Sequence, residues 1–245
     1  MSEQDGEDPR YPVHAPGWAA IDRALASSYP GQTPHQLTSQ RAYDLEGQSP
    51  LPAISVYEAR APEHWHFVTY GLTELFEKSS PDPEHSGFGF ELTLRLPRAV
   101  GEGTPPAWAV QLLQALGHYV LSGHAGLDTG HVIDLGGPLG PPATSNREGG
   151  GDEAERSCAL EGVVLVPDPR LGAIDTPHGR VLFLQLFGLT RDELEPMTDW
   201  TLERKVGLVM EYDPLAITDP ARGSMREDRR KAPLYRRYEL GVMLG

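Results

Sequence analysis

The chain has 245 residues, enough for one large domain or two small ones with a sizeable core. Lys plus Arg number 21 against 35 Asp plus Glu, a formal net charge of -14, which argues against nucleic acid or an anionic membrane as partner. The lone Cys158 excludes an internal disulfide, a zinc ribbon and a redox Cys-x-x-C pair. The first residues are acidic and polar, with no signal peptide, and no run approaches the ~18 apolar residues of a membrane span, so the expected location is the cytoplasm.

Residues 1–14 have the composition of a disordered arm. A helix follows, with Trp18, Ile21, Leu25 and Ser28 at helical spacing, stopped at Tyr29-Pro30-Gly31. Leu37 to Asp44 and Ala53 to Arg60 read as strands around a turn-rich 46–50. The stretch 62–96 supplies two more. In its first half bulk falls on both sides: Trp65 and Phe67 on one, His64, His66, Val68 and Tyr70 on the other, the mark of a central strand. Its second half alternates, with Phe88, Phe90, Leu92, Leu94 and Leu96 opposite Gly87, Gly89, Glu91, Thr93 and Arg95, one apolar and one polar face. Joined through Pro81-Asp82-Pro83, the two strands are expected to be neighbours.

Thr104 and Pro105 suit the cap and first residue of a helix whose stripe is Trp108, Leu112, Ala115 and Tyr119, flanked by Leu113, Leu116 and Val120. His131 to Leu135 is a short strand, and 136–157 a Gly-, Pro- and acid-rich surface insertion, expected to be mobile. Leu160 to Val166 is a strand ending at Pro167-Asp168-Pro169, and Val181 to Leu189, apolar on both faces except Gln185, a second central one. Thr190 and Glu193 form a capping box, and a further helix over 200–212 is expected to bury Leu202, Val206 and Val209. The compact domain then spans 15–223, and 224–245 is an Arg-rich tail, either flexible or lying on the body. The fold class is α+β, a mixed sheet flanked by helices.

Two chemistries compete. His64 and His66 project from one strand face and could hold two corners of a metal site or serve a hydrolase, but no His-Glu-x-x-His or Gly-x-Ser-x-Gly accompanies them. Framework histidines are the alternative. Asp168, fixed between two prolines at a strand end beside Val166, and Asp219 before Pro220 are carboxylates on rigid turns, suited to a basic or hydroxyl side chain or simply turn formers.

Residues Pro62-Glu63-His64-Trp65-His66, Gly71-Leu72 and Ser86 to Arg95 resemble the signature region of the Suppressor of fused family. Further landmarks follow in that family's order from Pro16-Gly17 to Ile217-Thr218-Asp219. The resemblance implies a non-catalytic protein that binds a partner, with no cofactor. It implies that Asp168 belongs to a peptide-binding surface, and that His64, Trp65, His66, Gly87, Gly89 and Glu91 are structural. It covers the N-terminal domain of the two-domain animal proteins, so the second jaw of their peptide clamp is not expected. Short single-domain members resemble bacterial immunity proteins, which implies a partner such as a toxin or a basic, extended segment.

Overall fold

A computed structural model of the chain describes residues 14–38, 50–123, 126–140 and 158–241. Most of the expected arm, the end of the first expected strand with its turn, and residues 141–157 of the expected insertion lie outside these.

The described elements are α1 (Pro16–Ser28), β1 (His35–Thr38), β2 (Ala53–Arg60), β3 (Glu63–Tyr70), β4 (His85–Pro97), α2 (Ala107–Leu121), β5 (Val132–Asp134), β6 (Leu160–Pro167), β7 (Ala173–Thr176), β8 (Gly179–Thr190), α3 (Arg191–Met197), α4 (Leu202–Tyr212) and α5 (Ala232–Glu239). The strands form one mixed sheet in the order β1-β2-β3-β4-β8-β6-β5, with β7 paired to β8 below β6. β3 and β4 are antiparallel neighbours, β4 and β8 are parallel, and β6 and β7 both run antiparallel to β8. The fold is α+β. β3 and β8 are interior strands, as their bulk on both sides requires.

One sheet face is wholly apolar. Phe67, Leu92, Leu94, Leu184 and Leu186 meet α2 through Ala109, Leu113, Leu116 and Val120. The helix starts two residues later than Thr104 and Pro105 suggest, because Pro106 holds the residue before it out of the helical region; Pro106 itself is extended. Its buried side runs along Ala109, Leu113, Leu116 and Val120 rather than the expected stripe, of which Ala115 and Tyr119 are exposed.

The opposite face carries two apolar clusters. α1 packs Trp18, Ile21 and Leu25 on Tyr57, Val68, Tyr70 and Phe183. α3, α4 and α5 pack Leu194, Met197, Leu208, Val209 and Tyr235 on Val164, Val166 and Phe187. Of the residues expected to anchor α4, Val209 is buried and Leu202 is 45% exposed. α3 opens with the expected capping box: Glu193 Oε2 accepts the Thr190 N–H at 3.1 Å.

Of the Arg-rich stretch after residue 223, the described part, to residue 241, lies on the body and packs into this second cluster through a few buried side chains. Tyr235 and Met225 are 0% and 1% exposed. A buried ion pair fixes the chain just before it: Arg222 Nη2 lies 2.6 Å from Glu193 Oε2, and Glu193 Oε1 accepts the Met225 N–H at 2.5 Å. Arginines hid an amphipathic helix whose tyrosines face inward.

Candidate functional site: a buried Arg–Asp–His network beneath two loops

Between the two clusters the sheet face turns polar. Glu91, Thr93 and Arg95, the polar side of β4, point into the protein and not into water, and all three are fully buried. They are joined there by His66 from β3, Gln185 from β8 and Asp168.

Asp168 gets there by a bend. β6 and β7 line the same edge of β8, and the residues between them bulge away from it. The Asp168 N–H donates to Phe183 O at 2.8 Å, the Phe183 N–H donates to Gly172 O at 2.9 Å, and the Gly172 N–H closes the loop onto Asp168 O at 2.8 Å. The carboxylate is thereby turned inward. Oδ1 accepts from the backbone N–H groups of Arg170 and Leu171 at 2.8 and 2.9 Å and from Arg95 Nη2 at 2.9 Å. Oδ2 lies 3.0 Å from His66 Nε2, 2.9 Å from Thr93 Oγ1 and 2.9 Å from Arg95 Nη1. The Arg95, His66 and Asp168 side chains are all 0% exposed. Asp168 is thus not the exposed recognition carboxylate that its Pro-flanked turn suggests. Its ligands are inside, since a buried carboxylate needs charge and hydrogen bonds at once.

The rest of the network extends the same logic. Arg95 Nη1 donates to Gln185 Oε1 at 2.5 Å, and Gln185 Nε2 donates to Ala216 O at 3.0 Å. The segment after Ala216 is held to the strand ends: the Thr218 N–H donates to Arg95 O at 2.9 Å, and Thr218 Oγ1 accepts the Gly188 N–H at 3.0 Å. Asp219 follows directly. It is partly exposed and accepts the Ala221 N–H at 2.9 Å, so in this structure it shapes its turn. Val166 lies within the cluster under α3–α5 and offers no surface.

Protonation states follow from geometry. Burial and the neighbouring Arg95 push the His66 ring down to about 4, against the pull of Asp168. At neutral pH the ring is uncharged, Nε2 donates to Asp168, and Nδ1 accepts the Tyr29 hydroxyl at 2.8 Å. Burial alone would raise Asp168, but His66 and Arg95 outweigh it and hold the carboxyl well below its ordinary value. Both nitrogens of His66 are thus engaged within the protein. His64 Nδ1 lies 2.8 Å from Pro62 O. Among the described residues no group of three or more His, Cys, Asp or Glu could hold a metal ion.

The other residues of the 62–96 block build the scaffold. Glu91 Oε1 accepts the N–H groups of Gly71 and Thr73 and the Thr73 hydroxyl, and Oε2 accepts the Thr69 hydroxyl, all at 2.7 to 3.0 Å. Burial pushes this carboxyl up to about 7 despite those bonds. Gly87, at φ +56, lets the chain pass so close to the β3–β4 loop that a Cβ would sit 2.7 Å from Leu72 O. Gly89 also takes a positive φ, at the irregularity between His85 and Phe90. Trp65 is fully buried, with the Arg98 guanidinium 5.2 Å from its ring centroid. Arg95 and Gln185 are the members that residue types alone did not mark; the signals were an amide inside the apolar run Val181 to Leu189 and a charged residue on the polar side of β4, directly opposite His66 of the central strand β3.

Known proteins similar to this chain bear out the family resemblance and the fold. A family model described as Suppressor of fused protein matches residues 47–223. The human and mouse Suppressor of fused homologs are each 34% identical over 224 residues, covering 84% of this chain and 43% of the relative, so the chain spans less than half the length of either. Among solved structures, a chain of the Sufu-Fu complex superposes with a TM-score of 0.76 at 29% identity, covering 95% of this chain and 99% of that one. Drosophila Suppressor of Fused gives 0.75 at 29% identity, covering 96% and 56%. A Neisseria gonorrhoeae Suppressor of fused homolog shares the fold, with a TM-score of 0.52 at 14% identity over 85% of this chain and 96% of that one. With its signature residues knitting β3, β4 and the Asp168 loop together, this chain belongs to the Suppressor of fused family.

Proposed function

We propose that this chain is a non-catalytic module that binds and sequesters another protein, acting in the bacterial cytoplasm as an immunity protein does toward a toxin. The observation that carries this is how the charged side chains are used. Asp168, Arg95, His66 and Gln185 are spent on one another, and in doing so they fix two loops, 167–172 and 216–220, against the same buried groups. Loops held in this way lose little freedom when a partner docks, which favours recognition.

On this reading the buried carboxylate acts at one remove. Asp168 presents the exposed Pro169 and Arg170, Val166 seats the strand beneath them, and Asp219 shapes the neighbouring turn. The partner segment is extended and basic, in keeping with a net charge of -14. One chain similar to this one is from a complex of Sufu with Fu, which supports a protein as the ligand class. Catalysis by the His64/His66 face is disfavoured because His66 is committed at both nitrogens to internal partners.

The test is capture of a partner by the tagged full chain in phosphate-free buffer, beside Pro169→Glu, with thermal unfolding of both. Loss of one stoichiometric partner without loss of stability supports the reading. Equal capture by both forms places the surface elsewhere.

A further inference from the structure

Tyr29, whose hydroxyl reaches His66, also lines an open cleft of about 300 Å³ together with Gln32, Glu58, Arg60, His64 and Arg170. At roughly 30 Å³ per water molecule this is room for a small organic ion.

The charges on its walls do not cancel. Glu58 is the carboxylate among the lining residues, and it is already engaged: Oε1 lies 3.3 Å from His35 Nε2 and Oε2 3.3 Å from Arg98 Nη1. Gln32 is engaged too, with Nε2 donating to Glu58 O and Oε1 accepting the Glu58 N–H, both at 2.9 Å. Burial holds the His64 ring below its ordinary value, so it adds no charge at neutral pH. Arg60 and Arg170 are different. Among the described residues neither guanidinium has an ion pair or hydrogen bond. This occurs in a chain where Asp plus Glu outnumber Lys plus Arg by 35 to 21.

Both arginines stand on fixed backbone. Arg60 ends β2, paired in register with Glu63 of β3. The Arg170 N–H is bound by Asp168 Oδ1 at 2.8 Å, so the buried network sets the position of this wall. Screening confines charge effects to ~8 Å at physiological salt, so a small ion inside the cleft meets the two guanidinium groups and the one, already paired, Glu58 carboxylate more strongly than the rest of the chain's charge.

We infer that this cleft is a binding site for a small dianion, a dicarboxylate or a phosphate group, held by the guanidinium groups of Arg60 and Arg170. Guanidinium forks match both anions in shape. The inference does not rest on the partner reading, because it concerns the isolated chain.

The experiment is calorimetric titration of the full chain with succinate and, separately, with inorganic phosphate, against chloride at matched ionic strength. Saturable one-to-one binding with a Kd of about 1 mM or tighter is expected for at least one of them. Arg60→Gln and Arg170→Gln should each weaken it about tenfold, and the double variant should abolish it. Arg180→Gln, exposed at a different cavity, should bind as the parent does. Heat with succinate alone identifies a dicarboxylate site, heat with phosphate alone a phosphate site, and heat with both a general dianion receptor. No saturable binding to either, parental affinity in a normally folded double variant, or equal weakening by Arg180→Gln would overturn the assignment. Since partner capture is run without phosphate, a negative titration leaves it standing.

Discussion

Arg95 and Asp168 are 73 residues apart in the chain, yet Nη1 and Nη2 of one lie 2.9 Å from Oδ2 and Oδ1 of the other, with neither side chain exposed. This forked pair ties the C-terminal end of β4 to the bend between β6 and β7. Removing one partner leaves the other charged and dry. Asp168→Ala should therefore cost about 3–5 kcal/mol of stability. Pro169→Glu, one residue on and exposed, should stay within about 0.5 kcal/mol of the parent. Urea denaturation of both variants checks the contrast. A parental midpoint for Asp168→Ala would show that the carboxylate is not buried in solution.

Two buried groups should give stability opposite dependences on pH. His66 is depressed from about 6.5 to about 4, so the stability it contributes is full above pH 6.5 and is lost as pH falls toward 4, by about 3 kcal/mol. Glu91 is raised from about 4.5 to about 7, so the fold prefers its protonated form. Its contribution is full below pH 4.5 and is lost as pH rises toward 7, by a similar amount. In the parent the two slopes largely cancel between pH 4.5 and 6.5. Glu91→Gln should expose the His66 slope and destabilise steeply on acidification, whereas His66→Gln should lose that slope. Midpoints measured at half-unit intervals of pH resolve this, and parallel profiles for the two variants would refute it.

The close pass at Gly87 sets a third expectation. A side chain there meets Leu72 O at 2.7 Å and must also adopt φ +56. Gly87→Ala should cost about 2 kcal/mol or more, whereas Gly101→Ala, at φ +86 with nothing within 4 Å, should cost only the backbone strain of about 1 kcal/mol. Thermal unfolding of the pair separates contact from conformation.

The Arg-rich end supplies a fourth. Truncation after Gly223 removes Met225, Tyr235 and Tyr238 from the second cluster, taking the Tyr235 ring off Trp200 and the Tyr238 ring off α4 at Gly207. At about 1.5–3 kcal/mol per buried side chain, a loss on the order of 5 kcal/mol follows, enough to unfold a domain of ordinary stability. Circular dichroism and a melt of the truncated form test it; a cooperative transition at the parental temperature would contradict the packing.

The strands that carry the core could be read from residue order because their code is local. Leu92, Leu94 and Leu96 alternate, Val181 to Leu189 is apolar on both sides, and Thr190 with Glu193 marks a helix start within four residues. The inward turn of Asp168 is not local. It depends on Arg95 and His66, placed opposite by strand pairings that bring β3, β4, β8 and β6 side by side. From its own neighbours, Pro167 and Pro169, Asp168 looks like any turn carboxylate. α5 was obscured for a related reason: Arg236 and Arg237 within it, and Arg229 and Arg230 just before it, make the stretch look like a charged tail, while its burial rests on Tyr235 and Tyr238 alone. The short β7 has only four residues and no alternation to announce it; its strand character comes from β8.

On the proposed function, the Asp168 loop presents a protein-binding surface. The most direct measurement is hydrogen exchange on the captured complex, from cells that make the protein naturally, compared with the free chain. Added protection over 167–172 and 216–220, absent with Pro169→Glu at unchanged thermal stability, is the predicted result. Protection confined to other elements, or a partner held equally well by the variant, would contradict the account.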